Sequence, residues 1–150
     1  MKYRSLWAAS ALFLVSVMSG CGSGEGGREF LSLGTAGTGG IYYPIGGALA
    51  SRLSVADPLR QYTAEVTGGS VENVNRLREG QIDMGFALAV TVYEAFRGGQ
   101  DYDMPFRSLR VVAPLYANLV HVLVPRRSAV RSLSDLGGAR ISVGSAGSGT

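Results

Sequence analysis

The sequence predicts an α/β domain on a largely parallel sheet. Short apolar runs alternate with stretches of helical periodicity, and the early runs end in loops of glycine and hydroxyl residues. One such loop, SLGTAGTGG at 32–40, is nearly repeated as SVGSAGSGT at 142–150.

FLSLG (30–34) reads as the first strand. After the glycine loop, Ile41, Ile45, Ala48, Leu49 and Leu53 recur at helical spacing and form one apolar face. Pro44 falls in the first turn of that helix, where backbone N–H groups have no internal partner. AEVTGGS (64–70) reads as a second strand entering a second glycine loop. Ser70 is placed to cap the next helix, whose face is Val71, Val74 and Leu77 and whose left-handed stop is Gly80. IDMGFALAV (82–90) has the composition of a buried strand and TVYEAFRGG (91–99) of a short helix. LRVVAPLY (109–116), LVHVLV (119–124) and RISVG (140–144) are further expected strands, with a single helical turn at SLSDLGG (132–138). Thr150 stands where the next helix is due, so the chain is expected to be a fragment.

The first twenty residues have the grammar of a secretory signal. Lys2 and Arg4 precede the mostly apolar run Leu6 to Met18, which ends in Ser19 and Gly20 just before Cys21. Thirteen residues are too few to span a bilayer, which takes about 20. Cys21 is the sole cysteine, so it has no disulfide partner within the chain. Met18-Ser19-Gly20-Cys21 resembles a bacterial lipobox, which implies lipidation at Cys21 and anchorage to a membrane from the periplasm or cell surface. Simple signal cleavage leaving a free thiol is the alternative. Residues 21–29, rich in glycine, read as a tether.

The formal charge of +3 is no sign of a nucleic-acid partner. Without Lys2 and Arg4, 12 scattered arginines face 11 acids, a balance of +1. Strand-to-helix loops offer something else: unpaired N–H groups and the positive end of a helix dipole, which together form an anion site. Thr35, Thr38, Gly39 and Gly40 supply this at the first helix, and Gly68, Gly69 and Ser70 at the second. Tight structural turns are the alternative reading of the same glycines. A phosphate-binding P-loop is absent, since Gly39 is followed by Gly40 and Ile41 with no lysine. The dinucleotide fingerprint fails because Tyr42 takes the third glycine place, and the nucleophile elbow fails around Ser145 and Ser148. His121 lacks the Cys or second His of a metal site. Glu72, Glu79 and Asp83 suit helix surfaces and caps, and Asp101 and Asp103 are too few for calcium. No cofactor, metal or catalytic group is expected.

Four motifs, GTAGTGGIYYPIGGALA (34–50), TGGSVENVNRLREGQIDMG (67–85), PLYANLVHVLV (114–124) and SLSDLGGARISVGSAGSGT (132–150), resemble in that order the solute-binding receptors of TRAP transporters, TAXI family. The resemblance runs from Phe30 to Thr150. It implies a periplasmic-binding-protein-like fold of the second type, with the first lobe complete at 30–116 and the second truncated at 117–150. It also implies capture of a small carboxylate, such as glutamate or glutamine, between the lobes and delivery to a TRAP membrane permease. By position, Thr38, Gly39, Gly40 and Tyr42 correspond to the first-lobe loop and its aromatic wall, and Ser70 and Asn73 to a second contact group. Ser145, Gly147, Ser148 and Thr150 correspond to the far side. Tyr43 fits either the wall or the core. Leu88, Ala89 and Val90 replace a polar stretch frequent in the family, and Ala117 and Asn118 stand where Pro-Glu is frequent. A more apolar acid is therefore as well suited as glutamate. An enzyme on a related two-lobed fold, or a surface lipoprotein without a solute, is the rival reading. Lacking most of one jaw, the chain to Thr150 is expected to bind weakly or not at all.

Overall fold

The computed structural model describes residues 27–99 and 102–149. The signal segment 1–20, most of the tether including Cys21, and Asp101 and Thr150 lie outside the described residues.

Three parallel strands form the sheet, in the order β2-β1-β3. The first, β1 (Glu29–Gly34), is joined by α1 (Tyr42–Ala56) to β2 (Arg60–Glu65), with Glu29 opposite Arg60 and Gly34 opposite Glu65. Helix α2 (Ser70–Arg78) leads to β3 (Met84–Gly85), and α3 (Ala89–Arg97) follows. This mixed α/β arrangement with parallel pairing is compatible with a periplasmic-binding-protein-like fold.

Strand β2 lies earlier than 64–70. Residues 66–69 cannot prolong it, because Gly69 turns with φ +122° and Thr67 directs its hydroxyl to the Thr35 carbonyl at 3.1 Å. Strand β3 is also shorter than 82–90. Only Met84 and Gly85 pair with Leu33 and Gly34, and the Leu88 N–H turns aside to the Ser70 hydroxyl at 3.0 Å before α3 begins at Ala89. The 109–116, 119–124 and 140–144 runs make no ladder among the described residues. Apart from Leu109 they are open to solvent, with Val112 and Leu123 each 88% exposed. Their β-branched composition expresses a fit to a half-buried pleated surface, and no neighbouring strand supplies one here.

Helix α1 is turned slightly from the expected face. Gly46 and Ala50, four residues apart, are the buried pair, while Ile41 and Leu49 are exposed. The cause is proximity. A Cβ on Gly46 would collide with the Thr35 Cγ2 and sit 3.2 Å from the Phe86 ring, so only the smallest side chains fit this contact. Pro44 lies inside the first turn without breaking the helix.

Val74 of α2 is fully buried as expected and packs with Ala95 and Tyr102, flanked by Ala87, Phe106 and Leu109. The Arg78 guanidinium lies 5.3 Å from the centre of the Tyr102 ring and 5.4 Å from that of Phe106. Cation–π attraction by both rings offsets part of the cost of its buried Nε and Nη2, which have no hydrogen-bond partner. On the other side of the sheet, Ser54 accepts the outward N–H of Tyr62 at 2.8 Å, and Arg60 bridges Glu29 and Asp57, each at 2.7 Å.

The turn expected at 132–138 is a 3-10 helix, Leu133–Leu136, with a reciprocal capping box between Ser132 and Asp135. The N–H groups of Arg131 and then Ser132, with the Ser132 hydroxyl, hold the Asp135 carboxyl below the ordinary carboxylate range. A lowered folded-state pKa contributes above the ordinary value and is lost as pH falls through the lowered one. The Arg131 and Ser132 amide resonances should therefore titrate with a midpoint below that of an unpaired aspartate; a midpoint at the ordinary value would refute the cap.

The tight α1 contact yields a paired expectation. Gly46→Ala should cost about 1–3 kcal/mol through overpacking despite better helix propensity. Gly47→Ala, with open space around it, should gain about 0.5–1 kcal/mol. Urea unfolding of the two variants measures the difference.

Candidate functional site

The carboxyl ends of the strands meet at one rim, formed by the 35–41 loop, the 66–69 loop and residues 86–88. Its frame is held from α2 by Asn73, which is wholly buried. The Asn73 amide donates to the Thr35 carbonyl at 2.7 Å and to the Phe86 carbonyl at 2.8 Å, tying the exit of β1 to the exit of β3. Its Oδ1 has no hydrogen-bond partner and faces Gly34, where an added Cβ would come within 2.5 Å. Thr35, also fully buried, donates its hydroxyl to the Glu65 carbonyl at 2.6 Å and so ties β1 to β2.

Ser70 is fully buried as well. It does not cap α2: the cap position is Gly69, and the Ser70 hydroxyl instead receives the Leu88 N–H. The functional groups of Thr35, Ser70 and Asn73 thus hold backbone at the rim. Gly80 adopts the left-handed stop expected of it, with φ +69°.

Thr38, Gly39 and Gly40 are exposed on a turn closed by the Gly40 N–H on the Gly37 carbonyl at 3.0 Å. No side chain caps α1 and no acid lies in its first turn, so its positive end faces outward with no negative side chain beside it. Tyr42, the first residue of α1, stacks on Phe86 at 5.3 Å between ring centres and meets Tyr116 edge-on at 6.2 Å. Its hydroxyl accepts a hydrogen bond from the Asn118 amide at 3.2 Å. Partial burial, then the neighbouring Tyr42, raises the Tyr116 phenol above its ordinary pKa. Tyr43 is 36% exposed and lies outside the core.

The second helix end is different. Val71 and Glu72 donate their N–H groups to the Gly147 carbonyl at 2.9 and 3.2 Å. The Glu72 carboxylate receives the Gly68 N–H at 2.7 Å. The repeated phrase therefore lies against α2: Gly147 and Ser148 adjoin Gly69, and Gly149 adjoins Ser70 and Thr91. Ser145 is exposed, and its carbonyl accepts the Ser148 N–H at 3.0 Å. Thr38 and the phrase at 145–149 thus belong to different helix ends.

The contacts of Tyr42 with the Phe86 and Tyr116 rings and with the Asn118 amide are not legible in the sequence. Phe86 reads as strand interior, and a contact spanning 42 to 118 leaves no local signal. Among the described residues, no three His, Cys, Asp or Glu groups converge as a metal site.

Among known families, the model for the NMT1-like family matches residues 33–150.

The buried amide clamp generates its own expectation. Asn73→Leu removes the donor to Phe86 and one of two donors to Thr35, at a cost of about 2–4 kcal/mol. Asn73→Asp should cost more, because it faces two carbonyl oxygens with a carboxylate. Equilibrium unfolding ranks the two variants, and equal stability of Asn73→Asp and the parent would refute the clamp.

Proposed function

Because the chain belongs to the NMT1-like family, a periplasmic-binding-protein-like family, we propose that it is the solute-binding receptor of a TRAP-type transporter of the TAXI class. In this reading it captures a small carboxylate and presents it to the membrane permease. The observation that carries the reading is the open, uncapped start of α1, with exposed Thr38, Gly39 and Gly40 in front of it and the Tyr42 ring beside it. Backbone N–H groups and the helix dipole attract the carboxylate, and hydroxyls add donors.

The rings favour an acid with an apolar body over glutamate. Tyr42 and Tyr116 present hydrocarbon faces, with Phe86 buried behind Tyr42, and Leu88, Ala89 and Val90 add no polar partner for a second charged group. Two α/β lobes of the second type, at 30–116 and from 117 onward, would close around it. A ligand that touches both lobes only when closed shifts the population toward closure. Lipidation at Cys21 would hold the receptor at the membrane, in the periplasm or at the cell surface. We read a receptor rather than an enzyme because the buried polar side chains of the rim, Thr35, Ser70 and Asn73, are committed to backbone.

Titration of the isotope-labelled chain with 4-methylpentanoate and with L-glutamate tests the reading. Millimolar affinity, about −4 kcal/mol, suffices for resolvable shifts. The Thr38 to Tyr42 amides should move with 4-methylpentanoate, and less with glutamate. Tyr42→Ala should weaken binding roughly 2- to 10-fold, the scale of one ring contact. Amides at 38–42 that ignore both acids would sink the proposal.

A further inference from the structure

The two helix ends at the rim carry similar glycine and hydroxyl phrases but are in opposite states. At α2, first-turn donors without helical partners are taken by the chain itself. The Gly147 carbonyl sits on the Val71 and Glu72 N–H groups, and the Glu72 carboxylate on the Gly68 N–H.

The seat is shaped for main chain. A Cβ at Gly68 would lie 2.5 Å from the Ala146 carbonyl oxygen, and one at Gly69 would lie 3.0 Å from the Ser148 Cα. From the other side, a Cβ at Gly149 would lie 2.9 Å from the Thr91 hydroxyl and one at Gly147 would lie 3.2 Å from the Glu72 Cβ. Glycines on both partners allow the approach. Gly69 (φ +122°) and Gly147 (φ +82°) also hold backbone conformations that other residues rarely take.

We infer that the 145–149 segment is an internal stopper: its Gly147 carbonyl occupies the amide cradle of α2 in the place of an anion, and Glu72 adds a negative charge that repels one. The cradle opens to a carboxylate only when the segment lifts. The apparent affinity of any acid for it is lowered by the fraction of molecules in which the stopper is seated. The bearing on solute capture rests on the proposed function, whereas the contact itself does not.

Amide hydrogen exchange of the intact chain is the first test. First-turn amides ordinarily exchange freely, so the Val71 and Glu72 N–H groups should show protection of at least about 100-fold, against less than about tenfold at Tyr42 and Tyr43. Equal, fast exchange at all four would overturn the stopper. Gly147→Ala should speed exchange at Val71 and Glu72 at least tenfold while leaving Val74 protected; unchanged exchange in a folded variant also overturns it.

Acetate is the second probe. It should leave the Val71 and Glu72 resonances of the parent in place but shift them when Gly147→Ala is combined with Glu72→Gln. Acetate shifts in the parent, or amides that exchange fast in the double variant yet ignore acetate, would overturn the anion role. If instead no acid moves Thr38 to Tyr42, only the proposed function fails, because the exchange result stands apart from it.

Discussion

Two hydrogen bonds from one buried amide hold the rim together. Asn73 reaches from α2 to the Thr35 and Phe86 carbonyls, and those carbonyls belong to the exits of β1 and β3. A buried carbonyl left unbonded costs about 1–3 kcal/mol, so the position of α2 against the sheet edge is set by polar satisfaction as much as by packing. The geometry of the rim follows from that placement. Phe86 is held where Tyr42 stacks on it, and Leu88 is turned so that its N–H meets Ser70. The unpartnered Oδ1 beside Gly34 shows how tightly the amide is held: both of its donors are satisfied, and no room remains for an acceptor's partner.

The two helix starts are in different states. The first stays open beside aromatic rings, while the second is filled from within by Gly147 and Glu72. Charge separates them further. No acid stands in the first turn of α1, whereas Glu72 stands in that of α2 with Arg76 at 4.0 Å and Arg76 in turn pairs with Glu65 at 2.7 Å. Negative charge therefore stands at the start of α2 and is absent from the first turn of α1.

Local signals in the sequence reported the elements well where the chain's own turns decide them. Gly80 and Gly98 mark helix ends, Pro44 sits in the first turn of α1, and the strand-loop-helix rhythm through residue 97 is present. Boundaries shifted where a distant partner intervened. Thr67 bonding to Thr35 ends β2 early, and Ser70 capturing the Leu88 N–H ends β3 after two residues. The runs at 109–124 and 140–144 carry strand composition without a neighbouring strand among the described residues, and composition alone cannot report a neighbour. At the rim, glycine and hydroxyl content marks the loops that follow the strands. It did not tell a hydroxyl facing solvent, as at Thr38, from one spent on backbone, as at Thr35, because that depends on which residue arrives from 30 positions away.

Ser54 has a consequence for how copies of the chain meet. Its hydroxyl donates to the Ala50 carbonyl at 2.9 Å and accepts the N–H of Tyr62 at 2.8 Å, in the middle of the outer strand β2. A foreign strand approaching that margin finds its hydrogen-bonding line interrupted at the centre. Lateral growth of the sheet at this margin, whether by a swapped segment or by amyloid-like stacking, is thereby disfavoured.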